Sequence, residues 1–553
     1  MTALQARHVP EAVYNAQLGS GCMRGTRVQV LNNIDAWIKD PKAPQIFWLT
    51  GHAGSGKSAI GHTVCTCASD DPDIILGGSF FCSRSAGSAA QRDVRCIIPT
   101  LAQLLARQSP EFSVALAAEL ERDPDVLHKQ ISAQVELLLE RPLLALKDSP
   151  KQVVFVIDAL DECGSQLTSN GTLDDPNSHR IVSAMIEALV SFSRSPTRLP
   201  VKFLVTSRPE THIRDTPISD VAFSKVLLLH TVDKSQVTED IRLYISAQLS
   251  STQTLRKSFT NDDIEVLAQL CDGLFIVATT ALQYTFSDGA DNALFRYKAL
   301  LNATRDGLSN GAVAPLDRIY AHILSDATRV ITHPTNALQS VQQVLASLLA
   351  ARMPLSVSAL ADLMDIPKDS LRPRLSHLHA VVHIPEGHEE PGLRTIHASF
   401  GDYLLERADD KYRIKRSVGD TILAYGCLQV MSKRLHFNVS GSSSSYEANQ
   451  PQKPDSITLA LEYACLQWIY HISRLHTLSS HDGDVSSRLK QRISAIMNRS
   501  STASALSKLN KLIVLVFRPR FLFWLEVMSV LREVRRAAAM LIFAAVTVRC
   551  MLT

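Results

Sequence analysis

Apolar residues in the first half of the chain form short continuous runs, separated by longer stretches with helical spacing. Five runs have the length of a buried β-strand: 46–49, 74–81, 153–157, 202–206 and 225–229. Strands that are apolar on both faces are typical of a parallel sheet covered by helices. The pattern predicts an α/β fold with a doubly wound, mostly parallel sheet, which binds its ligands at the carboxyl ends of the strands.

From about residue 232 the strand-like runs largely disappear, and apolar residues recur every three to four positions, which predicts helices. Between 321 and 410, three predicted helices precede two short strand-like runs, 380–384 and 393–396, which are separated by a turn rich in Pro, Gly and Glu. Helices that end in a small hairpin suggest a winged helix.

The segment after the first predicted strand has the spacing of a phosphate-binding loop, G-x-x-x-x-G-K-S. It consists of Gly51, His52, Ala53, Gly54, Ser55, Gly56, Lys57 and Ser58. Its glycines let backbone N–H groups turn towards phosphate oxygens, Lys57 adds a positive charge, and the Ser58 hydroxyl is suited to bind Mg²⁺. We expect this loop to bind ATP or ADP together with Mg²⁺, and the residues do not exclude GTP.

An acidic segment follows the third strand, at the sheet edge where the loop is expected. Asp158 ends that strand and is the predicted second Mg²⁺ ligand. Asp161 and Glu162 follow on the turn, where a carboxylate is placed to orient a water for attack on the γ-phosphate. Arg208 follows the fourth strand, and its guanidinium is suited to stabilise γ-phosphate charge. The alternatives are a solvated acidic turn and a surface arginine.

These assignments define five regions. They are an N-terminal lead-in region with an amphipathic helix (1–44), a P-loop NTPase domain (45–231), a helical domain (232–320), a winged-helix domain (321–410) and a helical C-terminal region (411–553). A chain of 553 residues is too long for one hydrophobic core, and about three or four domains are expected for this length. The serine-rich stretch 441–454 is predicted to be a mobile surface loop.

Composition narrows the possible partners and the compartment. The net charge of +3 gives no strong field for nucleic acid or an anionic membrane. The ten cysteines lack the spacing of a zinc site, so reduced thiols in the cytoplasm are expected. No secretory signal is apparent, and no uncharged apolar window reaches about 18 residues. The apolar stretch 537–548 is too short to span a bilayer and is interpreted as a buried terminal helix or the stub of a longer chain.

Several segments resemble, in order, the motifs of the NACHT-type P-loop ATPases of the STAND (signal-transducing) class, in their fungal and nephrocystin-like arrangement. The matching segments are 22–27 (C-x-x-G-T-R), 47–58, 80–84 (F-F-x-x-R), 158–162, 206–209, 272–275 (D-G-L-F), 396–404 and 521–527. The chain departs from this family because neither the usual N-terminal effector nor a C-terminal sensor such as WD40 repeats fits its sequence.

The resemblance implies a signalling switch. ADP would lock a closed state, and exchange for ATP would open the chain and permit self-oligomerisation and contact with protein partners, with slow ATP hydrolysis as the reset. His397 matches the winged-helix histidine that touches the bound diphosphate in the family. From the residues alone, a histidine after a strand is more often structural.

The residues favour the switch over three other functions. The main alternative is a non-catalytic scaffold whose nucleotide site is structural and whose helical half binds proteins. A small-molecule kinase would need an acceptor-binding lid, which the long helical additions argue against. DNA binding is not expected, because 357–378 lacks a regularly spaced basic helix face.

Overall fold

The computed structural model describes residues 2–5, 7–16, 21–84, 89–163, 176–195, 197–250, 259–287, 290–306, 314–329, 334–385, 392–443, 453–477 and 502–542. These residues divide into two compact units, with the boundary between Ile319 and Tyr320. Most of the predicted loop 441–454 and the end of the apolar stretch 537–548 lie outside the described residues.

A five-stranded parallel sheet forms the centre of the first unit. Its strands lie in the order β2-β3-β4-β1-β5 and span β1 Ile46–Thr50, β2 Ile74–Phe81, β3 Gln152–Asp158, β4 Val201–Ser207 and β5 Ser224–Leu228. Every residue of β1 and β4 is buried, as expected for strands covered on both faces. The predicted α/β fold with a parallel sheet is confirmed.

Helices cover both faces of this sheet. Because side chains alternate along a strand, Phe47 and Leu49 of β1 enter one core while Ile46 and Trp48 enter the other. Around and after the sheet, the longer helices of this unit are Val28–Lys39, Lys57–Asp70, Ile97–Gln108, Pro110–Arg122, Pro176–Ser193, Lys234–Leu249, Asn261–Leu270, Phe275–Phe286 and Ala290–Asp306, and Pro315–Arg329 contains the unit boundary.

Helix starts in the segment after β2 are set by side-chain caps. The Asp93 carboxylate accepts a hydrogen bond from Arg95 N and starts a 3₁₀ turn, Val94–Cys96, which leads into the helix Ile97–Gln108. After Ile97–Gln108, the hydroxyl of Ser109 accepts from Phe112 N at 3.2 Å and starts a second helix, Pro110–Arg122.

In its described residues, the second unit is helical apart from one small hairpin and an isolated antiparallel bridge between Leu355 and Leu393. Strand β6 (Val382–His383) pairs antiparallel with β7 (Arg394–Thr395). The longer helices are Pro334–Ala350, Val357–Met364, Lys368–Leu375, Arg416–Arg434, Leu459–Thr477 and Thr502–Val530, with the shorter Ala398–Asp402 after the hairpin. Helices and hairpin follow one another in the predicted order, and the assignment of a winged helix remains a prediction.

A buried polar network joins two helices of this unit. The His471 ring donates from Nδ1 to Asp420 Oδ1 at 2.8 Å, and its Nε2 accepts from the Tyr463 hydroxyl at 2.8 Å. All three side chains are almost completely buried, and the Tyr463 oxygen also accepts from Arg352 N. Each buried polar group thus has a partner, which offsets its loss of water.

The described part of the apolar stretch 537–548 belongs to a helix over 534–542. In this helix Ala537 and Met540 are buried and Ile542 is exposed. Among the residues that the structure describes, none of the helices combines the length and the apolar character that crossing a bilayer requires.

Lys202 of β4 provides a test of how the sheet packs against the segment after the helix Val28–Lys39. Its side chain is 1% exposed, and Nζ donates to the carbonyl oxygens of Asp40 at 2.8 Å and Ala43 at 2.9 Å, after the helix Val28–Lys39. We predict that K202M removes these charge-assisted hydrogen bonds and lowers the free energy of unfolding by about 2 kcal/mol, measured by urea denaturation. The exposed, ion-paired Lys39 gives the control: K39M should stay within about 0.5 kcal/mol of wild type, and equal losses would contradict the prediction.

Candidate functional site

The predicted phosphate-binding loop connects β1 to the helix Lys57–Asp70. Gly54 has φ +79° and Gly56 has φ +92°, left-handed values that favour glycine. Gly51 N donates to Ser207 O at 3.3 Å, so the start of the loop is attached to the end of β4. This contact between Gly51 and Ser207 follows from the strand order, since β1 and β4 are neighbours.

Lys57 is buried at the start of the helix, with 8% exposure. Its Nζ donates to Gly51 O at 2.7 Å and to His52 O at 3.0 Å, within its own loop. Burial lowers the pKa of Lys57, while the nearby negative charges of Asp161 and Asp158 act in the opposite direction. The ammonium group therefore lies close to the acidic end of β3.

Asp158 lies at the end of β3 with its carboxylate buried. Oδ1 accepts a hydrogen bond from Thr206 Oγ1 at 2.6 Å, and the Ser58 hydroxyl lies near the carboxylate. Burial raises the pKa of Asp158, and the hydroxyls of Ser58 and Thr206 lower it. The helix Lys57–Asp70 approaches Asp158 closely, since a Cβ at Gly61 would lie 3.6 Å from Asp158 Oδ1.

The turn after β3 holds two carboxylates with different partners. Asp161 is 3% exposed, and its Oδ1 accepts from Arg208 N at 2.9 Å while Oδ2 lies 3.3 Å from Arg208 Nε. Glu162 instead accepts from Arg84 N at 2.9 Å through Oε2. Burial and the charge of Asp161 raise the pKa of Glu162 to about 7. Only Asp161 is bound to the predicted γ-phosphate arginine.

The donor set fits Mg²⁺. The Ser58 hydroxyl and the Asp158 carboxylate are adjacent hard oxygen groups, and Mg²⁺ prefers a few such ligands together with water and substrate phosphates. In the part of the chain that the structure describes, no group of three or more His, Cys, Asp or Glu residues is arranged to hold a metal. This pair is therefore suited to a metal that arrives with the nucleotide.

Arg27 is a site residue to which the sequence analysis assigned no role. Its Nη2 donates to Ser55 O at 2.8 Å, its backbone N donates to Asp240 Oδ2 at 3.0 Å, and its guanidinium lies 5.0 Å from the Phe275 ring centroid. The side chain is almost fully buried, and Nε and Nη1 have no hydrogen-bond partner among the residues that the structure describes. The only sequence signal was its place in the C-x-x-G-T-R segment.

The helical region after the sheet also contacts the loop. Ile276 N donates to Gly54 O at 3.2 Å, and a Cβ at Gly54 would lie only 1.9 Å from Ile276 Cγ2. Phe275 lies next to Gly56. The D-G-L-F segment thus packs directly on the phosphate loop, although the sequence analysis assigned it no position.

The structure brings most of the predicted site residues together at one sheet edge. Residues 51–58, Asp158, Asp161, Glu162 and Arg208 lie at the carboxyl ends of β1, β3 and β4. His397 belongs to the second unit, where its Nδ1 accepts from Ser399 N at 3.1 Å and caps the helix Ala398–Asp402. Its nucleotide contact remains a prediction.

A glycine-rich loop between strand and helix, together with an acidic strand end on a parallel sheet, defines a P-loop NTPase domain. Residues 25–208 match the family model described as nephrocystin 3, N-terminal. The resemblance to the NACHT-type P-loop NTPases is confirmed for this region of the chain.

Comparison with individual proteins extends beyond that region. The vegetative incompatibility protein HET-E-1 of Podospora anserina is 23% identical in an alignment of 546 residues that covers 93% of this chain and 35% of that protein. The chain therefore spans about a third of the length of this curated relative.

Two solved structures align with low scores. A STAND protein with a tetratricopeptide repeat sensor from Pyrococcus horikoshii aligns at 10% identity over 98% of this chain and 73% of its own, with a TM-score of 0.37. Cdc6p from Pyrobaculum aerophilum aligns at 12% identity over 75% of this chain and 98% of its own, with a TM-score of 0.30. Scores below 0.5 do not establish a shared overall arrangement.

The contact between Gly54 and Ile276 gives a prediction. In G54A the new methyl group would overlap Ile276 in addition to the strain of a left-handed backbone, so we expect a loss of about 2–4 kcal/mol in the free energy of unfolding. Gly25 is the matched control, because it has φ +90° but no atom within 4 Å of an added Cβ. G25A should lose only about 1–2 kcal/mol. Urea denaturation of both variants measures the difference, and G54A no less stable than G25A would contradict the prediction.

Proposed function

We propose that this protein is a nucleotide-controlled signalling ATPase that binds ATP or ADP with Mg²⁺ and hydrolyses ATP slowly. One observation carries the proposal. Lys57 and Ser58 of the loop meet the buried Asp158 at the sheet edge, and the helical region contacts the same loop through Ile276. The first part of this arrangement is a site for a polyanion and its metal. The second part couples that site to another region of the same unit.

The residues divide the chemistry among themselves. Backbone N–H groups of the loop and the Lys57 ammonium bind the phosphates. A Mg²⁺ ion bound by Ser58 and Asp158 would neutralise charge that develops on the phosphates. Glu162 orients the attacking water and accepts its proton, because its pKa of about 7 suits a general base near neutral pH. Arg208 stabilises γ-phosphate charge, with Asp161 holding its backbone and guanidinium in place.

Arg27 extends the site beyond the phosphates. Its Nε and Nη1 groups are buried next to the loop residue Ser55, and none of the described residues pairs with them. An unpaired buried donor costs free energy, and an acceptor on the bound nucleotide would offset that cost. We therefore include Arg27 among the nucleotide contacts.

The signalling part of the proposal rests on the contact between loop and helical region. A nucleotide that changes the loop conformation must also change the packing of Gly54 against Ile276, so its binding energy is able to shift a conformational equilibrium. Opening of the chain, self-oligomerisation, the diphosphate contact of His397 and the exchange of ADP for ATP come from the family resemblance. A cytoplasmic location agrees with the free thiols of the described cysteines.

Two substitutions separate the switch from a scaffold. We predict that K57A weakens binding of a fluorescent ATP analogue by about 10- to 100-fold, because a charged partner of the phosphates is lost. D158N should keep most of the affinity for the nucleotide but lower ATP turnover by about 100-fold or more. The exposed Lys42 gives the control, and K42A should match wild type in both assays.

Size-exclusion chromatography with ADP and with a non-hydrolysable ATP analogue completes this test. Different assembly states with the two nucleotides support the switch. A wild-type chain that binds neither nucleotide, or that binds without turnover or any change of assembly, would support the scaffold instead.

The titration of Glu162 predicts the pH dependence of turnover. Its pKa in the folded chain is about 7, so the active carboxylate is protonated below that value. We expect kcat to rise with pH through an acid limb centred near 7 and to fall about tenfold per unit well below it. Affinity for the non-hydrolysable analogue, measured over the same range, separates binding from chemistry. E162Q should lose turnover while retaining nucleotide, and an unchanged acid limb in E162Q would contradict the assignment.

A further inference from the structure

Arg84 lies just beyond β2, at the strand end beside the acidic turn. Cys82 N donates to Asp158 O at 3.0 Å, which extends the pairing of β2 with β3 to within two residues of Arg84. The sheet therefore fixes where Arg84 meets the turn. The F-F-x-x-R segment marked this residue in the sequence without indicating what it contacts.

Two hydrogen bonds connect Arg84 to the turn. Its backbone N donates to the Glu162 carboxylate at 2.9 Å, and its Nη2 donates to the carbonyl oxygen of Asp161 at 2.6 Å. The same Nη2 lies 3.8 Å from Glu210 Oε1, on the segment after β4. Arg84 thus binds the main chain of Asp161 through its guanidinium and the carboxylate of Glu162 through its backbone N–H. The carboxylate of Glu210 also attracts the guanidinium.

The charges around Glu162 give this contact a chemical effect. Asp161 on the same turn disfavours the ionised carboxylate, whereas Arg84 from the end of β2 and Arg208 from the end of β4 favour it. Lys57 from the loop also interacts with Glu162, and the buried Cys82 thiol lies near it. Arg84 is therefore one of the cations that keep Glu162 ionised.

We propose that Arg84 is a positioning residue for hydrolysis, which fixes the acidic turn through Asp161 O and orients the Glu162 carboxylate towards the attacking water. This inference rests on the proposed ATPase function and adds a residue that acts through Glu162. Only the guanidinium is removed by substitution, because the backbone N–H donor to Glu162 remains in any variant.

The test compares R84Q, R84K and wild type as full chains with ATP as the probe. In R84Q we expect kcat to fall about tenfold and KM to change less than about twofold, because the loss affects orientation in the chemical step. The acid limb of kcat should move up by about half a pH unit or more, because a cation facing Glu162 is lost. R84K keeps the charge, so it should restore the acid limb while kcat stays about threefold low.

Arg122 provides the matched control, since it is an exposed arginine paired only locally with Glu119. R122Q should equal wild type in kcat, KM and acid limb. A purely structural role for Arg84 would lower the melting temperature and leave the acid limb of the folded R84Q in place, which would overturn the inference.

The outcomes also separate this inference from the proposed function. A wild-type chain without ATP turnover would overturn both. A wild-type chain that hydrolyses ATP, together with an R84Q variant of unchanged kcat, would overturn the role of Arg84 alone. If R84Q does not fold, R84K decides: the expected threefold loss of kcat supports the inference, and wild-type kcat overturns it.

Discussion

The site depends on one buried carboxylate. Asp158 is 2% exposed, and an unpaired charge at that depth would be strongly unfavourable. The hydrogen bond from Thr206, the nearby hydroxyl of Ser58 and the ammonium of Lys57 offset this cost. The three partners come from β4 and from the loop after β1, and both strands are apolar enough to be buried. The hydrophobic sheet thus places polar groups from distant segments around a single anion, and the metal and phosphate chemistry follows from that placement.

The sequence predicted the sheet and the loop well, for a physical reason. Strands covered on both faces are continuous apolar runs, and the loop needs glycine where φ is positive, so both leave a local pattern. The contacts of Arg27 and Arg84 were not predictable, because their partners Ser55 and Asp161 lie far along the chain. The two acidic residues after β3 also look equivalent in sequence. Their partners distinguish them, since Arg208 contacts Asp161 and the backbone N of Arg84 contacts Glu162.

The helical region shows how packing connects the site to the rest of the first unit. Ile276 fills the space where Gly54 lacks a side chain, and its backbone N–H donates to the Gly54 carbonyl. Arg27 reinforces the same contact, since it bonds to the loop and lies against the Phe275 ring. The loop is therefore held by its own glycines and by a neighbouring helix start. A ligand on the loop acts on groups that are already in van der Waals contact with that helix.

The buried network of the second unit has a mechanical consequence. His471 is bonded through both ring nitrogens, to Asp420 on one helix and to Tyr463 on its own helix. Sliding one helix past the other by a single turn, about 5.4 Å, would break the interhelical bond and strand an acid and an imidazole in an apolar interior. The network therefore opposes axial sliding and helps to fix the register of the helix pair.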